Sequence, residues 1–166
     1  MPPSRRRTPF PGRRSGPRRK LVWATLNTAP TITANGHVVL EMLGNLRVAG
    51  ASVLGATVMR THLSCGLFWA ATTEFYQVGL IVGRLEDVGT TVLDPNTNPG
   101  EDWMFNQQVF AHASGATVDA ASWAAFDVRS KRKMEELDQT YLLSLHFTGA
   151  ANKSPQLYAR TLIALA

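Results

Sequence analysis

The sequence predicts an all-β domain of sandwich or barrel type, preceded by a disordered, arginine-rich arm. From residue 21 onward, short runs of apolar and β-branched residues are separated by Gly, Pro, Asn and Asp, which is typical of many short strands. Nothing repeats with a period of 20–50 residues, so a solenoid is not indicated. The first 20 residues have no apolar run and are rich in Arg and Pro. We therefore divide the chain into an arm, residues 1–20, and a folded domain, residues 21–166.

The folded part contains seven or eight expected strands. They cover residues 21–28, 37–43, 52–63, 75–85, 123–130, 140–148 and 156–164. Asn35-Gly36 marks a turn, Gly55 a bulge or close contact inside the third strand, and Pro155 the entrance of the last strand. The third strand could continue to Trp69. The long connections favour a jelly roll over a simple meander.

The sequence does not decide the secondary structure of two segments. Residues 47–51 fit either a short strand or a loop. Residues 86–122 form a long irregular connection, within which residues 103–113 fit either a short helix or a strand. Its centre, residues 94–100, reads Asp-Pro-Asn-Thr-Asn-Pro-Gly, which is the composition of a turn.

The arm carries the strongest functional signal. Its basic residues are Arg5, Arg6, Arg7, Arg13, Arg14, Arg18, Arg19 and Lys20. No acid falls among them, so the arm carries +8, whereas the other 9 basic groups face all 12 acids and leave the rest of the chain at −3. With so little apolar surface to bury, the arm is expected to be disordered when free.

Arginine in this density predicts binding to nucleic acid. The guanidinium fork binds two phosphate oxygens at once and stays protonated. Binding through phosphates releases counterions, so it should be salt-sensitive and independent of base sequence. A solvated tail or a nuclear localisation signal is the competing interpretation, and the second use is compatible with the first.

A second charged segment covers residues 126–138. Its basic residues are Arg129, Lys131, Arg132 and Lys133, and three acids follow closely. A solvated loop or a helical turn with internal ion pairs would explain this pattern. The sharper interpretation is a contact with another subunit or with the genome.

The arm, followed by a β domain and by the segment DVRSKRKMEELDQTYLLSL, resembles the coat proteins of small icosahedral viruses, especially the single jelly-roll proteins of circular single-stranded DNA viruses and of satellite viruses. The residues that match their penultimate segment are Asp127, Val128, Arg129, Arg132, Lys133, Met134 and Leu137. The resemblance covers the arm and the last third of the chain. The middle matches by its strand pattern only.

The resemblance implies an eight-stranded jelly roll with its arm directed toward an enclosed single-stranded genome. It implies self-assembly into an icosahedral shell, for which the smallest closed form, T=1, has about 60 copies. Sixty such arms would supply on the order of 480 positive charges. We expect the protein in the virion, after synthesis in the host cytoplasm and with import into the nucleus as a further use of the arm. No membrane partner is expected.

The sequence offers no recognisable catalytic or metal-binding motif. His37, His62, His112 and His146 are well separated and show no zinc or protease spacing, so we expect structural roles. Asp94 begins a segment like a calcium loop, but Pro99 replaces its glycine. We therefore expect an exposed turn there, with calcium at a subunit interface, through Asp94, Glu101 or Asp102, as the minor alternative. No enzyme activity, cofactor or metal is predicted.

Cys65 and the four tryptophans are expected to have structural roles. Cys65 lies in an apolar run and is expected to be buried and inert. Trp23, Trp69, Trp103 and Trp123 could stack on bases, but core or interface positions are more typical of tryptophan in a β domain.

Two other classes of function compete with a coat protein. The first is a non-viral nucleic-acid-binding protein with a basic tail, such as a ribosomal or chromatin protein. The net acidity of the body argues against it, because a folded reader usually carries a basic face. The second is a β-sandwich enzyme or lectin, which would need a convergent polar cluster that the sequence does not indicate.

Overall fold

Two antiparallel sheets pack face to face in this structure, a computed structural model that describes residues 19–69, 74–89, 93–96, 104–111 and 120–166. The strands are β1 (Lys20–Thr28), β2 (Gly36–Glu41), β3 (Thr57–Trp69), β4 (Phe75–Arg84), β5 (Met104–Ala111), β6 (Ala120–Lys133), β7 (Gln139–Thr148) and β8 (Gln156–Leu165). A short helix, α1 (Gly44–Val48), follows β2, and one 3-10 turn covers Leu85–Asp87. Within the described ranges, no helix has the length and apolar character needed to cross a membrane.

The order of the strands defines the architecture. Sheet 1 has the order β1-β8-β3-β6, and sheet 2 has the order β2-β7-β4-β5. Apart from β4 and β5, consecutive strands lie in opposite sheets, so the chain passes between the sheets at nearly every connection. This order is consistent with a jelly-roll sandwich. The prediction of an all-β sandwich is confirmed.

Alternation along the strands fills the space between the sheets. In β8, Leu157, Ala159 and Ile163 are buried, while Tyr158 and Arg160 point away from the core. The same period of two places side chains of β3 and β7 between the sheets. Each large aliphatic side chain that is fully buried in this way stabilises the fold by about 1.5–3 kcal/mol.

The second face of sheet 2 is also covered. Strand β7 is buried at almost every position, which a strand with one solvated face would not show. Leu93 packs on this face with Val39, Ile81 and Leu142. The Ser144 hydroxyl donates a hydrogen bond of 2.6 Å to the Leu93 carbonyl oxygen, which ties the segment 93–96 to the sheet.

Buried polar contacts join separate parts of the sandwich. The hydroxyls of Thr61 on β3 and Tyr141 on β7 lie 2.8 Å apart and connect the two sheets. The Lys153 ammonium lies 3.2 Å from the Glu74 carboxylate, and both side chains are almost fully buried. A pair of this kind holds its two segments together, because removal of one partner leaves the other charge in a low-dielectric site.

Local structure differs from the expectation at two places before β4. Of residues 47–51, expected to form a short strand or a loop, Arg47 and Val48 belong to α1 and the other three follow it without regular structure. Gly50 there has φ of +75°, a conformation that glycine adopts without strain. Strand β3 begins at Thr57 rather than at residue 52, because Gly55, with φ of +72°, lies in a turn before the strand and not within it. The strand does continue to Trp69, as the apolar run allowed.

Two differences concern the second half of the chain. The open segment 103–113 contains the strand β5, not a helix. Strand β6 starts at Ala120 and runs to Lys133, so the strand expected over residues 123–130 is confirmed and extends further at both ends. The loop or helical turn expected within residues 126–138 is wrong up to Lys133, and a turn follows at residues 134–138. The chain turns only after Lys133, where Met134 is buried and its amide donates to the Ala56 carbonyl over 2.9 Å.

Candidate nucleic-acid interface

Two of the eight basic residues predicted in the arm lie in the described part of the chain. Lys20 is the first residue of β1 and pairs with Leu165 of β8. Arg19 precedes it and donates a hydrogen bond of 3.3 Å from Nη1 to the Thr57 hydroxyl. The other six lie outside the described residues; they are Arg5, Arg6, Arg7, Arg13, Arg14 and Arg18. Lys20 begins the sheet one residue earlier than expected, so the arm joins the fold at the end of sheet 1.

The basic residues of the second signal lie on β6, at the edge of sheet 1. Arg129, Lys131, Arg132 and Lys133 are all exposed. The pairing of β6 with β3 is irregular here, with two residues of β6 opposite Met59. A bulge of this kind interrupts the strict alternation of side chains, which explains how three consecutive basic residues reach solvent.

The pairing register brings the start of β1 and the end of β6 to the same end of the sheet. Lys20 pairs with Leu165, and Thr57 pairs with both Ala164 and Lys133. Three strand spacings separate β1 from β6, or about 14 Å. The arm and the basic end of β6 therefore lie at the same end of sheet 1, on its two opposite edge strands, although more than 100 residues separate them in the chain.

Charge is divided unequally between the two sheets. The strands of sheet 1 contain seven basic residues and a single acid, Asp127. The strands of sheet 2 contain one of each, Arg84 and Glu41. The other ten acids of the chain fall outside these strands. The body is acidic in sum, as the sequence count predicted, but sheet 1 is strongly basic.

The outer face of sheet 1 has a shallow cleft of about 290 Å³. It is lined by Trp23, Arg60, His62, Asp127 and Arg160, one or two from each strand of the sheet. Trp23 is 43% exposed, so it belongs to neither the core nor a buried contact within the chain. The Arg160 guanidinium lies over its ring, 4.7 Å from the centroid. An exposed aromatic ring beside cations is the combination that stacks on bases and binds phosphates.

One of the cations on this face is already neutralised. Arg60 donates hydrogen bonds from Nε and Nη2 to the carboxylate of Asp127, with Nε–Oδ1 of 2.8 Å. These bonds hold the pKa of Asp127 below its ordinary value. Among the described residues, no carboxylate lies within ion-pair distance of Arg129, Lys131 or Arg160. These three can accept an external anion without breaking an ion pair with a described carboxylate.

One sequence expectation fails at the other sheet. Asp94 is buried, with 8% exposure, rather than part of an exposed turn. It lies beside His37 and His146, which are opposite each other on β2 and β7. Burial lowers the pKa of His146 despite the opposing effect of the Asp94 carboxylate. No spacing in the sequence indicates this cluster, because it depends on the pairing of β2 with β7. Glu101, Asp102 and His112 lie outside the described residues.

The expectation for Cys65 is confirmed. Its side chain is fully buried, and burial raises the pKa of the thiol to about 12.

No protein-family model matches the chain, and no curated protein matches it. Among solved structures, turnip yellow mosaic virus is similar at 12% identity, over 99% of this chain and 89% of that chain, with a TM-score of 0.49. Tomato aspermy virus is similar at 10% identity, over 100% and 88%, with a TM-score of 0.49. Eiger TNF from S. frugiperda is similar at 11% identity, over 89% and 94%, also with a TM-score of 0.49. Two names are viruses and one is a TNF protein, so the choice of function depends on the residues of this chain.

Proposed function

We propose that this protein is the coat protein of a small icosahedral virus, an eight-stranded jelly roll that forms the shell and packages a single-stranded genome. The observation that carries the proposal is the convergence of the basic residues. The arm enters β1 at the end of sheet 1 that also holds Lys133, and the outer face of that sheet adds Arg129 and Arg160. The sequence resemblance to coat proteins, which involves the arm and several of the same basic residues of β6, points to the same function.

The proposed mechanism separates two tasks. Residues 1–20 neutralise phosphates, and the outer face of sheet 1 extends the same cationic surface onto the folded domain. The acids lie almost entirely outside sheet 1, so sheet 2 and the connections are free to meet other copies or solvent. In a closed shell of about 60 copies, sheet 1 then faces the genome, and binding depends on salt but not on base sequence.

A deletion of residues 2–18 tests the role of the arm and leaves β1 intact. The deleted protein should still form particles, because the strands and their core are unchanged. Those particles should lose most of their nucleic acid, measured by the ratio of absorbance at 260 and 280 nm across a sedimentation gradient. The matched control replaces every arginine from residue 5 to residue 18 by lysine, which keeps the charge and should keep most of the packaging. Particles of the deletion variant that contain as much nucleic acid as wild-type particles would contradict the proposal.

A second candidate function is a non-viral nucleic-acid-binding protein. The basic face of sheet 1 favours it, because the folded domain carries a cationic surface of the kind that a folded nucleic-acid reader uses, although the net charge of the domain is negative. Sedimentation of the full chain with a single-stranded oligonucleotide at low salt separates the two functions. A coat protein forms particles of megadalton mass, whereas a binding protein stays a small complex.

A further inference from the structure

Three side chains that are remote in sequence meet on the face of sheet 2 that points away from the core. His37 is on β2 and His146 is directly opposite on β7. Asp94 comes from the segment 93–96, which crosses this face and is anchored by Leu93. The cluster is separate from the basic face of sheet 1.

The three side chains are close together and shielded from solvent. His146 Nδ1 lies 2.9 Å from Asp94 Oδ1, and His37 Nδ1 lies 3.5 Å from Asp94 Oδ2. One ligand atom from each of the three residues lies within 4.8 Å of the others. The two imidazole rings are nearly parallel, with an angle of 18° between their planes and 6.5 Å between their centroids. The side chains of His37 and His146 are 7% and 4% exposed.

Each imidazole has one buried nitrogen that makes no regular hydrogen bond within the described residues. His37 Nε2 and His146 Nδ1 are both buried without a hydrogen-bond partner among the described residues. Asp94 Oδ1 lies 2.9 Å from His146 Nδ1, so this nitrogen faces the carboxylate that would share the ion with it. The other nitrogen, Nε2, contacts the Thr148 hydroxyl over 3.1 Å, which leaves Nδ1 directed toward the cluster. Gln77 is opposite His146 on β4, and its Oε1 is likewise buried without a partner among these residues.

We propose that His37, Asp94 and His146 bind one divalent transition-metal ion, for which Zn²⁺ is the best match. Two imidazole nitrogens and one carboxylate oxygen form a ligand set that zinc accepts, and nitrogen donors disfavour Ca²⁺ and Mg²⁺. Tetrahedral zinc places its ligand atoms about 3.3 Å apart. The present spacing is therefore close to that of a bound site, and small side-chain rotations would complete it.

The ion would act as a structural clamp. It would join β2 to β7 across the sheet and fix Asp94, and through it the segment 93–96, onto the sheet. Asp94 Oδ1 also accepts a hydrogen bond of 2.9 Å from the amide of Asn96, so the carboxylate is already oriented by its own turn. Three protein ligands leave a position for water or for a fourth side chain.

Zinc binding to the full chain tests the proposal directly. The purified protein is stripped with EDTA, dialysed and titrated with ZnCl₂ by calorimetry, and the zinc per chain is measured by mass spectrometry. We expect one ion per chain. At a free zinc concentration 100-fold above Kd, the unfolding temperature should rise by about 5–10 °C. Millimolar CaCl₂ should leave it unchanged.

Matched variants assign the ligands. His37→Gln and Asp94→Asn should each weaken zinc binding by more than about 100-fold. His62→Gln, which alters the half-buried histidine on sheet 1, should bind zinc as the wild type does. If the variants do not fold, the wild type still decides the question, because Co²⁺ in a site with this ligand set gives visible absorption bands that free Co²⁺ does not.

Two outcomes would overturn the proposal. One is a wild type that takes up no zinc and shows no cobalt bands, in which case the cluster holds a shared proton between Asp94 and a histidine. The other is zinc binding of equal affinity in the wild type and in Asp94→Asn, which would place the ion elsewhere on the chain.

Discussion

Single buried side chains determine how the two sheets respond to pH. Cys65, Tyr76 and Tyr141 are all fully buried, and burial raises the pKa of each acidic group. A raised pKa in the folded state means that the folded protein keeps its proton where the unfolded chain loses it. The contribution of such a group to stability is therefore complete at neutral pH and declines as the pH rises above its value in the unfolded chain.

Cys65 gives the clearest test of this effect. Its thiol has a pKa of about 12 when folded and about 8.5 when unfolded. From pH 7 to pH 10, ionisation of the unfolded thiol should cost the wild type about 2 kcal/mol that Cys65→Ala does not lose. Urea unfolding of both proteins across this range measures the difference, and Tyr158→Phe, at an exposed tyrosine, is the control. A wild-type advantage over Cys65→Ala that stays constant with pH would contradict the burial of the thiol.

At the scale of elements, β6 is the feature that the sequence described least well. Its last residues were expected to form a loop or a helical turn because four basic residues and three acids follow one another. In the structure, the basic residues belong to the strand and the acids to the turn after it. The strand is stabilised by its long pairing with β3, which composition over a short window does not reveal.

Arg129 is expected to contact phosphate as part of this strand. Arg129→Gln should weaken binding of single-stranded nucleic acid by a similar factor for every base sequence, and should reduce the slope of log K against log salt by about 0.7. Arg84→Gln removes the same charge from sheet 2 and should leave the slope unchanged. Fluorescence anisotropy with two unrelated oligonucleotides at several salt concentrations measures both effects. Equal losses in the two variants would mean that net charge, and not the face of sheet 1, controls binding.

Much of the fold could be predicted because side chains alternate between buried and exposed positions along β1 and β8, while β4 and β7 stand out as nearly continuous buried runs. Helix α1 could not be predicted in this way, since five residues are too few to show a helical period. The basic face was missed because charge was summed over the whole body, whereas alternation and the strand order concentrate Arg60, Arg129 and Arg160 on one side. The contact between His37 and His146 could not be predicted from the sequence, because it depends on the pairing of two strands that are distant in the chain.

For the molecule as a whole, the division of charge predicts which side faces the genome. In intact particles, Lys20, Lys131 and Lys133 should react poorly with an amine-specific reagent, because the proposed function places them on sheet 1 against the nucleic acid. After dissociation at high salt they should react readily. Lys153 is the internal control, since its ion pair with Glu74 buries it in both states. Mass spectrometry of labelled peptides measures the extent of reaction at each lysine. Strong labelling of Lys131 in intact particles would contradict the proposed orientation of sheet 1 toward the genome.

The position of β6 at the border of sheet 1 has a consequence for subunits that have not yet assembled. No other described strand pairs with the outer edge of this 14-residue strand, and such an edge is a template on which a second chain can add a strand. Arg129, Lys131, Arg132 and Lys133 make two such edges repel each other. A polyanion that covers these charges would remove the repulsion, so the genome itself would govern when neighbouring chains are allowed to approach.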